Sequence, residues 1–146
     1  RGEGNMLGYY QNEKATQEAF LGEWLKTGDL ANRDEDGYIW VIDRKDDLII
    51  TGGVNIYPKE IEEVLLRYPS IHEAAVIGVP HPEWGTTVKA VFSATEKIEI
   101  EILREFLRKN LAASKMPRLF KQVEALPRNA SGKIVKHVLR KELSLG

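Results

Sequence analysis

Apolar residues recur at helical spacing in several stretches of the chain. Ile61, Val64, Leu65 and Tyr68 mark one face of a helix, and Pro58 stands where that helix would begin, because the first turn needs no N–H from proline. The same spacing predicts two more helices, one with Leu103, Phe106, Leu107 and Leu111 on its apolar face and one with Val135, Val138 and Leu139.

Continuous apolar runs between these helices predict β-strands. The runs at residues 74–79 and 88–94, separated by residues 80–85, are predicted to be strands of one sheet, and residues 48–51 and 119–123 add shorter strands. Strands and helices in this order predict an α+β domain from about residue 46 to residue 143, in which helices cover a mixed β-sheet.

The first part of the chain has a different pattern, with turns, short strands and a short helical stretch at residues 14–20. A turn at residues 33–37 precedes the β-prone run at residues 38–42, which predicts a hairpin. The charged run at residues 43–47 interrupts the apolar pattern, so we expect a boundary there, with one part at residues 1–43 and another at residues 44–146.

Composition narrows the possible partners. The 146 residues suit one domain and a smaller remnant, and the net charge of −1 gives no reason to expect nucleic acid or an anionic membrane as a partner. The absence of cysteine excludes disulfides and thiolate metal sites, and the three histidines lack metal-ligand spacing, so no metal site is predicted. No apolar stretch is long enough to predict a transmembrane segment, and we expect a cytoplasmic protein.

The segment at residues 127–133 carries the strongest chemical signal. Ser131 and Gly132 favour a turn that presents Lys133 just before an amphipathic run from Ile134 to Leu143. A cation held there would be available to a phosphate or a developing oxyanion. The alternative is an ordinary solvated surface lysine.

Three other segments precede it in a fixed order, at residues 27–30, 43–47 and 52–62. Together the four segments resemble the C-terminal part of the adenylate-forming superfamily, which comprises acyl-CoA and aryl-CoA synthetases, adenylation domains of nonribosomal peptide synthetases and firefly-type luciferases. The resemblance extends from Leu7 to Leu143. It implies that residues 1–43 are the β-rich end of a large AMP-binding domain and that residues 44–146 are its C-terminal lid.

The resemblance also implies roles in acyl-adenylate formation. Lys133 would be the catalytic residue, and Asp29 and Arg44 would bind the nucleotide ribose. Asp46 would be the hinge about which the lid rotates between an adenylation pose and a thioester-forming pose.

Residue chemistry leaves alternatives open for three of these residues. Asp29 suits a turn cap, and Asp46 suits a solvated charge run. Arg44 suits a surface ion pair, with Asp43, Asp46 or Asp47 as its partner.

For coenzyme A, the resemblance implies contacts from Gly52, Gly53, Trp84 and Arg118, with Gly53 beside the path of the thiol. The alternatives are that the glycines supply a positive φ and that Trp84 is a core or interdomain residue. Asn55 occupies a position where some relatives carry an arginine.

The implied function is that of an ATP-dependent carboxylic acid:CoA ligase, with a small carboxylic acid, ATP and CoA as substrates and a role in fatty acid metabolism. Mg²⁺ ligands and the Gly/Ser/Thr-rich phosphate loop are expected in an N-terminal domain outside this sequence, which would be the main partner of these residues. The chain alone is expected to be inactive. The alternatives are a noncatalytic nucleotide- or CoA-binding module, a peptide-synthetase adenylation domain and a luciferase-like enzyme.

Overall fold

The computed structural model describes residues 2–143 of the chain. The chain divides into two compact units, with the division between Asp46 and Asp47. The smaller unit precedes this division and the larger one follows it.

The smaller unit consists of one helix and two hairpins. Helix α1 (Glu13–Ala19) is capped by the Asn12 side chain, and the short strands β1 (Phe20–Leu21) and β2 (Trp24–Leu25) pair antiparallel. Strands β3 (Asp29–Arg33) and β4 (Ile39–Arg44) form the second hairpin, which confirms the one predicted around residues 33–42.

The turn between β3 and β4 is stabilised by Asp34. Its carboxylate accepts hydrogen bonds from the Tyr38 amide at 2.8 Å and from the Trp40 indole at 3.1 Å. The bond from Trp40 is the main reason that the pKa of Asp34 lies below its usual value. Gly37, with a φ of +91°, supplies the left-handed backbone that this turn requires.

Strand β4 exposes apolar side chains on both faces. Ile39, Trp40 and Val41 are 69%, 64% and 58% exposed. Because successive residues of a strand point to opposite faces, both faces of this two-stranded ribbon are apolar and open to solvent.

The larger unit is built on a three-stranded mixed sheet. A single 3₁₀ turn (Lys45–Asp47) spans the division between the units. The elements that follow are β5 (Ile49–Thr51), β6 (Val54–Ile56), α2 (Pro58–Leu65), β7 (Ile71–His81), β8 (Gly85–Ala94), α3 (Ile100–Asn110), a 3₁₀ turn (Ala113–Lys115), β9 (Leu119–Gln122) and α4 (Lys136–Leu143). Strand β8 is central and pairs antiparallel with β7 and parallel with β9, while β5 and β6 form a separate hairpin.

Apolar clusters cover both faces of this sheet. On one face Val76 of β7 belongs to the cluster that contains Ile61 of α2 and Leu103 of α3. On the other face Ile77 belongs to the cluster that contains Leu139 of α4. The alternation along β7 assigns α2 and α3 to one face and α4 to the other, which confirms the predicted α+β class with a mixed sheet covered by helices.

Two predicted boundaries are wrong. The connection predicted at residues 80–85 is shorter, since β7 continues through Pro80 and His81 and β8 begins at Gly85. The last helix begins at Lys136, because Ile134 pairs with Arg128 in an isolated antiparallel bridge. No helix within residues 2–143 is long and apolar enough to cross a membrane.

Candidate functional site

The turn before α4 presents Lys133. The Asn129 side-chain oxygen accepts hydrogen bonds from the Ser131 amide at 3.1 Å, the Ser131 hydroxyl at 2.8 Å and the Lys133 amide at 2.9 Å. Gly132, with a φ of +79°, completes the turn. The bonds converging on Asn129 hold the backbone, so the Lys133 side chain is carried on an ordered turn.

The ammonium group of Lys133 is free. The residue is exposed, and its side chain makes no hydrogen bond or ion pair within residues 2–143. A lysine ammonium is a compact cation with three N–H donors, and it can approach a phosphate or carboxylate from solvent. This arrangement fits both the cation predicted from the Ser-Gly turn and the alternative of a solvated surface lysine.

Arg128 links this turn to the sheet through side-chain hydrogen bonds. Its guanidinium pairs with Glu73 of β7 and also donates to the Gly132 carbonyl. The bond from Arg128 is the main reason that the pKa of Glu73 lies below its usual value; partial burial opposes this effect.

The two predicted ribose-binding residues lie together. Asp29 and Arg44 are opposite each other in the β3–β4 ladder, and Arg44 Nη1 donates to Asp29 Oδ1 at 2.9 Å. The alternative was an ion pair of Arg44 with Asp43, Asp46 or Asp47, but Arg44 instead pairs with Asp29 across the hairpin. The Thr27 hydroxyl accepts a bond from the Asp29 amide at 3.2 Å.

Asp46 lies in the 3₁₀ turn Lys45–Asp47, at the division between the two units, and its side chain is exposed. The neighbouring Asp47 belongs to an ion network in the larger unit, where it pairs with Arg140 at 2.6 Å and lies 3.8 Å from Lys136. The exposed Asp46 is therefore followed directly by Asp47, whose side chain is held by ion pairs.

A pocket of about 360 Å³ brings together three of the four predicted CoA-binding residues, Gly52, Trp84 and Arg118. The Arg118 guanidinium lies 3.0 Å from the centre of the Trp84 ring, and the His81 ring stacks on Trp84 with centroids 4.8 Å apart. The Trp84 ring is thus held in place by a cation and a second aromatic ring.

Gly53 does not line the pocket. It neighbours Gly52 at the tip of the β5–β6 hairpin with a φ of +78°, and a Cβ built on it would meet open space. Both glycines need their positive φ, as the conformational alternative predicts.

The pocket also contains residues that no sequence motif indicated, including Thr87 and Met116. Thr87 is 2% exposed, and its hydroxyl has no hydrogen-bond partner among the described residues. No local motif marks these positions, because they meet only when β8 and the segment before β9 pack together. For Thr87, the one available signal was its closeness to Trp84 in the sequence.

Two glutamates outside the predicted sites make structural contacts. Glu60 pairs with Lys115 at 2.8 Å. Glu62 accepts a bond from the Val76 amide at 2.7 Å and pairs with Lys136 at 2.8 Å. These contacts join α2 to neighbouring segments, so both residues have a structural role.

A family model and a known enzyme both match this chain. Residues 60–133, about half of the chain, match the family model described as the AMP-binding enzyme C-terminal domain. The chain is 46% identical over 134 residues to a 2-succinylbenzoate–CoA ligase of Bacillus licheniformis, an alignment that covers 92% of this chain and 28% of the relative.

Solved structures of two CoA ligases also match nearly the whole chain. The chain superposes with a TM-score of 0.83 and 40% identity on o-succinylbenzoate coenzyme A synthetase from Bacillus subtilis in complex with ATP and magnesium ion, covering 94% of this chain and 28% of that one. It superposes with a TM-score of 0.89 and 36% identity on an anthranilate CoA ligase in complex with anthranoyl-AMP, covering 99% of this chain and 29% of that one. The chain therefore spans less than a third of the length of these relatives.

Proposed function

Because the chain belongs to the family of AMP-binding enzyme C-terminal domains, we propose that it forms the C-terminal part of an ATP-dependent carboxylic acid:CoA ligase. Family membership confirms the resemblance to the adenylate-forming superfamily that was drawn from the four sequence segments. The names of the relatives support a ligase over a noncatalytic module, a peptide-synthetase domain or a luciferase-like enzyme.

The observation that carries this proposal is the free ammonium group of Lys133 on an ordered turn. In the first half-reaction the acid's carboxylate attacks the α-phosphate of ATP, pyrophosphate leaves, and an acyl-adenylate forms. Lys133 would bridge the attacking carboxylate and the α-phosphate, where a fixed cation stabilises developing negative charge. Mg²⁺ would bind to residues outside this chain.

The Asp29–Arg44 pair would bind the ribose of the nucleotide. Its hydrogen bond uses Asp29 Oδ1, so the other carboxylate oxygen remains available to a ribose hydroxyl. A carboxylate accepts hydrogen bonds from vicinal hydroxyls without needing to change protonation.

In the second half-reaction CoA attacks the acyl-adenylate, the thioester forms and AMP leaves. Gly52, Trp84 and Arg118 in the pocket would contact CoA, with Arg118 suited to a phosphate and the Trp84 ring to a flat base. Gly53, with open space beside it, would leave room for the thiol.

The two units would then belong to different domains of the enzyme. We propose that residues 1–43 complete a large AMP-binding domain and that residues 44–146 form a lid that turns at Asp46. The apolar faces of β4 support the first assignment, since a strand with both faces exposed needs further packing partners. The lid would pair with that domain in both poses.

The carboxylic acid is assigned by assay of the full-length protein. Among the relatives named above, the substrates are 2-succinylbenzoate and anthranilate, which do not support the predicted role in fatty acid metabolism. A cytoplasmic location stays a prediction.

The test uses the full-length protein that contains this chain. Pyrophosphate release is measured with ATP and a panel of aliphatic and aromatic acids, and thioester formation is then measured with CoA. We expect acid-dependent pyrophosphate release followed by CoA consumption. Binding of ATP and CoA without turnover of any acid would instead favour the noncatalytic module.

A substitution in the hairpin tip separates the two half-reactions. Gly53→Trp should spare acyl-adenylate formation and block thioester formation, because the ring would fill the expected thiol path, whereas Gly53→Ala brings the same strain at a positive φ without the ring and should retain more thioester formation. Equal loss of both half-reactions would argue against the CoA assignment.

A further inference from the structure

One guanidinium connects the Lys133 turn to the central sheet. Arg128 Nε donates to Glu73 Oε1 at 3.1 Å, and Nη2 contacts the same oxygen. Arg128 Nη1 donates to the carbonyl of Gly132, the residue directly before Lys133. A rigid fork of donors thus fixes the distance between β7 and the peptide that carries the lysine.

The Glu73 carboxylate is itself held from the other side. Its Oε2 accepts hydrogen bonds from the Ser93 hydroxyl at 3.0 Å and from the Leu126 amide at 3.3 Å. Ser93 is fully buried in β8 and also lies 3.1 Å from His72 Nε2. Each carboxylate oxygen therefore has two protein donors, and the contacts run from the central strand to the turn.

These contacts leave Glu73 little capacity for a ligand, and they direct the guanidinium of Arg128, whose side chain is 46% exposed, toward Glu73 and Gly132. All three guanidinium nitrogens of Arg128 have a protein partner, and the Glu73 side chain is only 18% exposed. A residue committed in this way acts by holding its neighbours rather than by binding substrate.

Asn129 makes a different contribution. Its bonds to Ser131 and Lys133 close the turn from within, but they do not fix the position of the turn against the sheet. Catalysis by a cation depends on that position, since a displacement of about 1 Å can reduce a rate about a hundredfold.

We infer that Glu73 and Arg128 are positioning residues for Lys133, which place its ammonium group for acyl-adenylate formation through the Gly132 carbonyl. This inference rests on the proposed function of Lys133. Neither residue would touch the reacting atoms.

The first experiment measures the turn directly in the full-length protein. Backbone order parameters of Gly132 and Lys133, which report motion of the turn rather than its internal hydrogen bonds, are compared between the native protein, Glu73→Gln and Arg128→Gln. Glu60→Gln is the matched control, because it removes a carboxylate whose ion pair with Lys115 also spans 55 residues but lies away from the turn. We expect lower order parameters in Glu73→Gln and Arg128→Gln only, and unchanged order parameters would overturn the inference.

The second experiment measures both half-reactions in the full-length protein. Glu73→Gln and Arg128→Gln should each reduce the rate of acyl-adenylate formation by about ten- to a hundredfold with little change in the KM for ATP. Thioester formation from supplied acyl-adenylate should be nearly native. The double variant should lose no more than either single variant, because the two side chains act as one unit.

A Lys133→Ala variant separates the possible failures. If it keeps the native rate of acyl-adenylate formation, the proposed function of Lys133 is wrong, and the inference fails with it. If Lys133→Ala loses that rate while Glu73→Gln and Arg128→Gln keep it, only the positioning role is wrong. Additive losses in the double variant would also overturn the inference, since independent residues would then be at work.

Discussion

At the scale of single residues, the most specific prediction concerns Lys133. In the full-length protein Lys133→Ala should reduce acyl-adenylate formation by about a hundredfold or more, the scale expected when one preorganised charge-stabilising group is removed. Thioester formation from supplied acyl-adenylate should largely survive. The measurement is single-turnover kinetics of each half-reaction.

Lys109→Ala is the control, since this residue is also an exposed lysine but lies on α3. It should leave both rates unchanged. Equal loss of both half-reactions in Lys133→Ala, with the fold intact, would remove Lys133 from the adenylation step.

Glu73 makes stability depend on pH. Its lowered pKa means that the folded state favours the ionised carboxylate, so its contribution is present above the usual pKa and is lost as the pH falls through the lowered one. Glu73→Gln should lower the free energy of unfolding by about 1–3 kcal/mol at neutral pH, the scale of hydrogen bonds to charged groups.

That difference should shrink as the pH falls. Urea unfolding of the native chain and Glu73→Gln, from pH 7 down to about pH 3, measures it. A difference that stays constant over this range would show that the ionised carboxylate does not stabilise the fold.

Residue-level prediction succeeded where the signal was local. The Ser-Gly pair predicted the turn that presents Lys133, because both the turn bonds and the positive φ of Gly132 arise within a few residues. The Glu73–Arg128 pair was not predicted, because 55 residues separate its members and nothing near either one marks the contact. The ion-pair partners considered for Arg44 were acidic neighbours in sequence, whereas its observed partner, Asp29, is set by the register of the hairpin.

At the scale of elements, helices and strands were largely predictable, and their ends were less so. Apolar spacing identified α2, α3 and α4 because each buries one face against the sheet. It placed Ile134 at the start of the last amphipathic run because this residue is apolar, although its backbone pairs with Arg128. Proline suggested a break at residue 80, yet β7 continues through Pro80 beside Thr86.

The 3₁₀ turn Lys45–Asp47 is the element on which lid rotation would depend. Asp46→Pro fixes one backbone φ there, and it should change the two half-reactions unequally by favouring one pose of the lid. Rates of acyl-adenylate and thioester formation in the full-length variant measure this. Asp36→Ala, in the β3–β4 turn, serves as the control, and identical kinetics in Asp46→Pro and the native protein would remove Asp46 from the hinge role.

At the scale of the whole molecule, we predict that the 146-residue chain alone makes no acyl-adenylate. No Gly/Ser/Thr-rich phosphate loop occurs in its sequence, and the chain spans 28% of the length of the B. licheniformis ligase. Pyrophosphate release with ATP and the panel of acids measures this, with the full-length protein as the positive control. ATP-dependent turnover by the short chain would contradict the domain assignment.

The apolar ribbon of the smaller unit has a consequence for handling the chain in solution. Ile39, Trp40 and Val41 lie on a strand of a two-stranded sheet, and such ribbons recruit further strands from other molecules. The isolated chain should therefore self-associate as its concentration rises, and Ile39→Lys with Val41→Lys should keep it monomeric. Light scattering across a concentration series measures this, and equal scattering by the native and substituted chains would show that aggregation does not begin at β4.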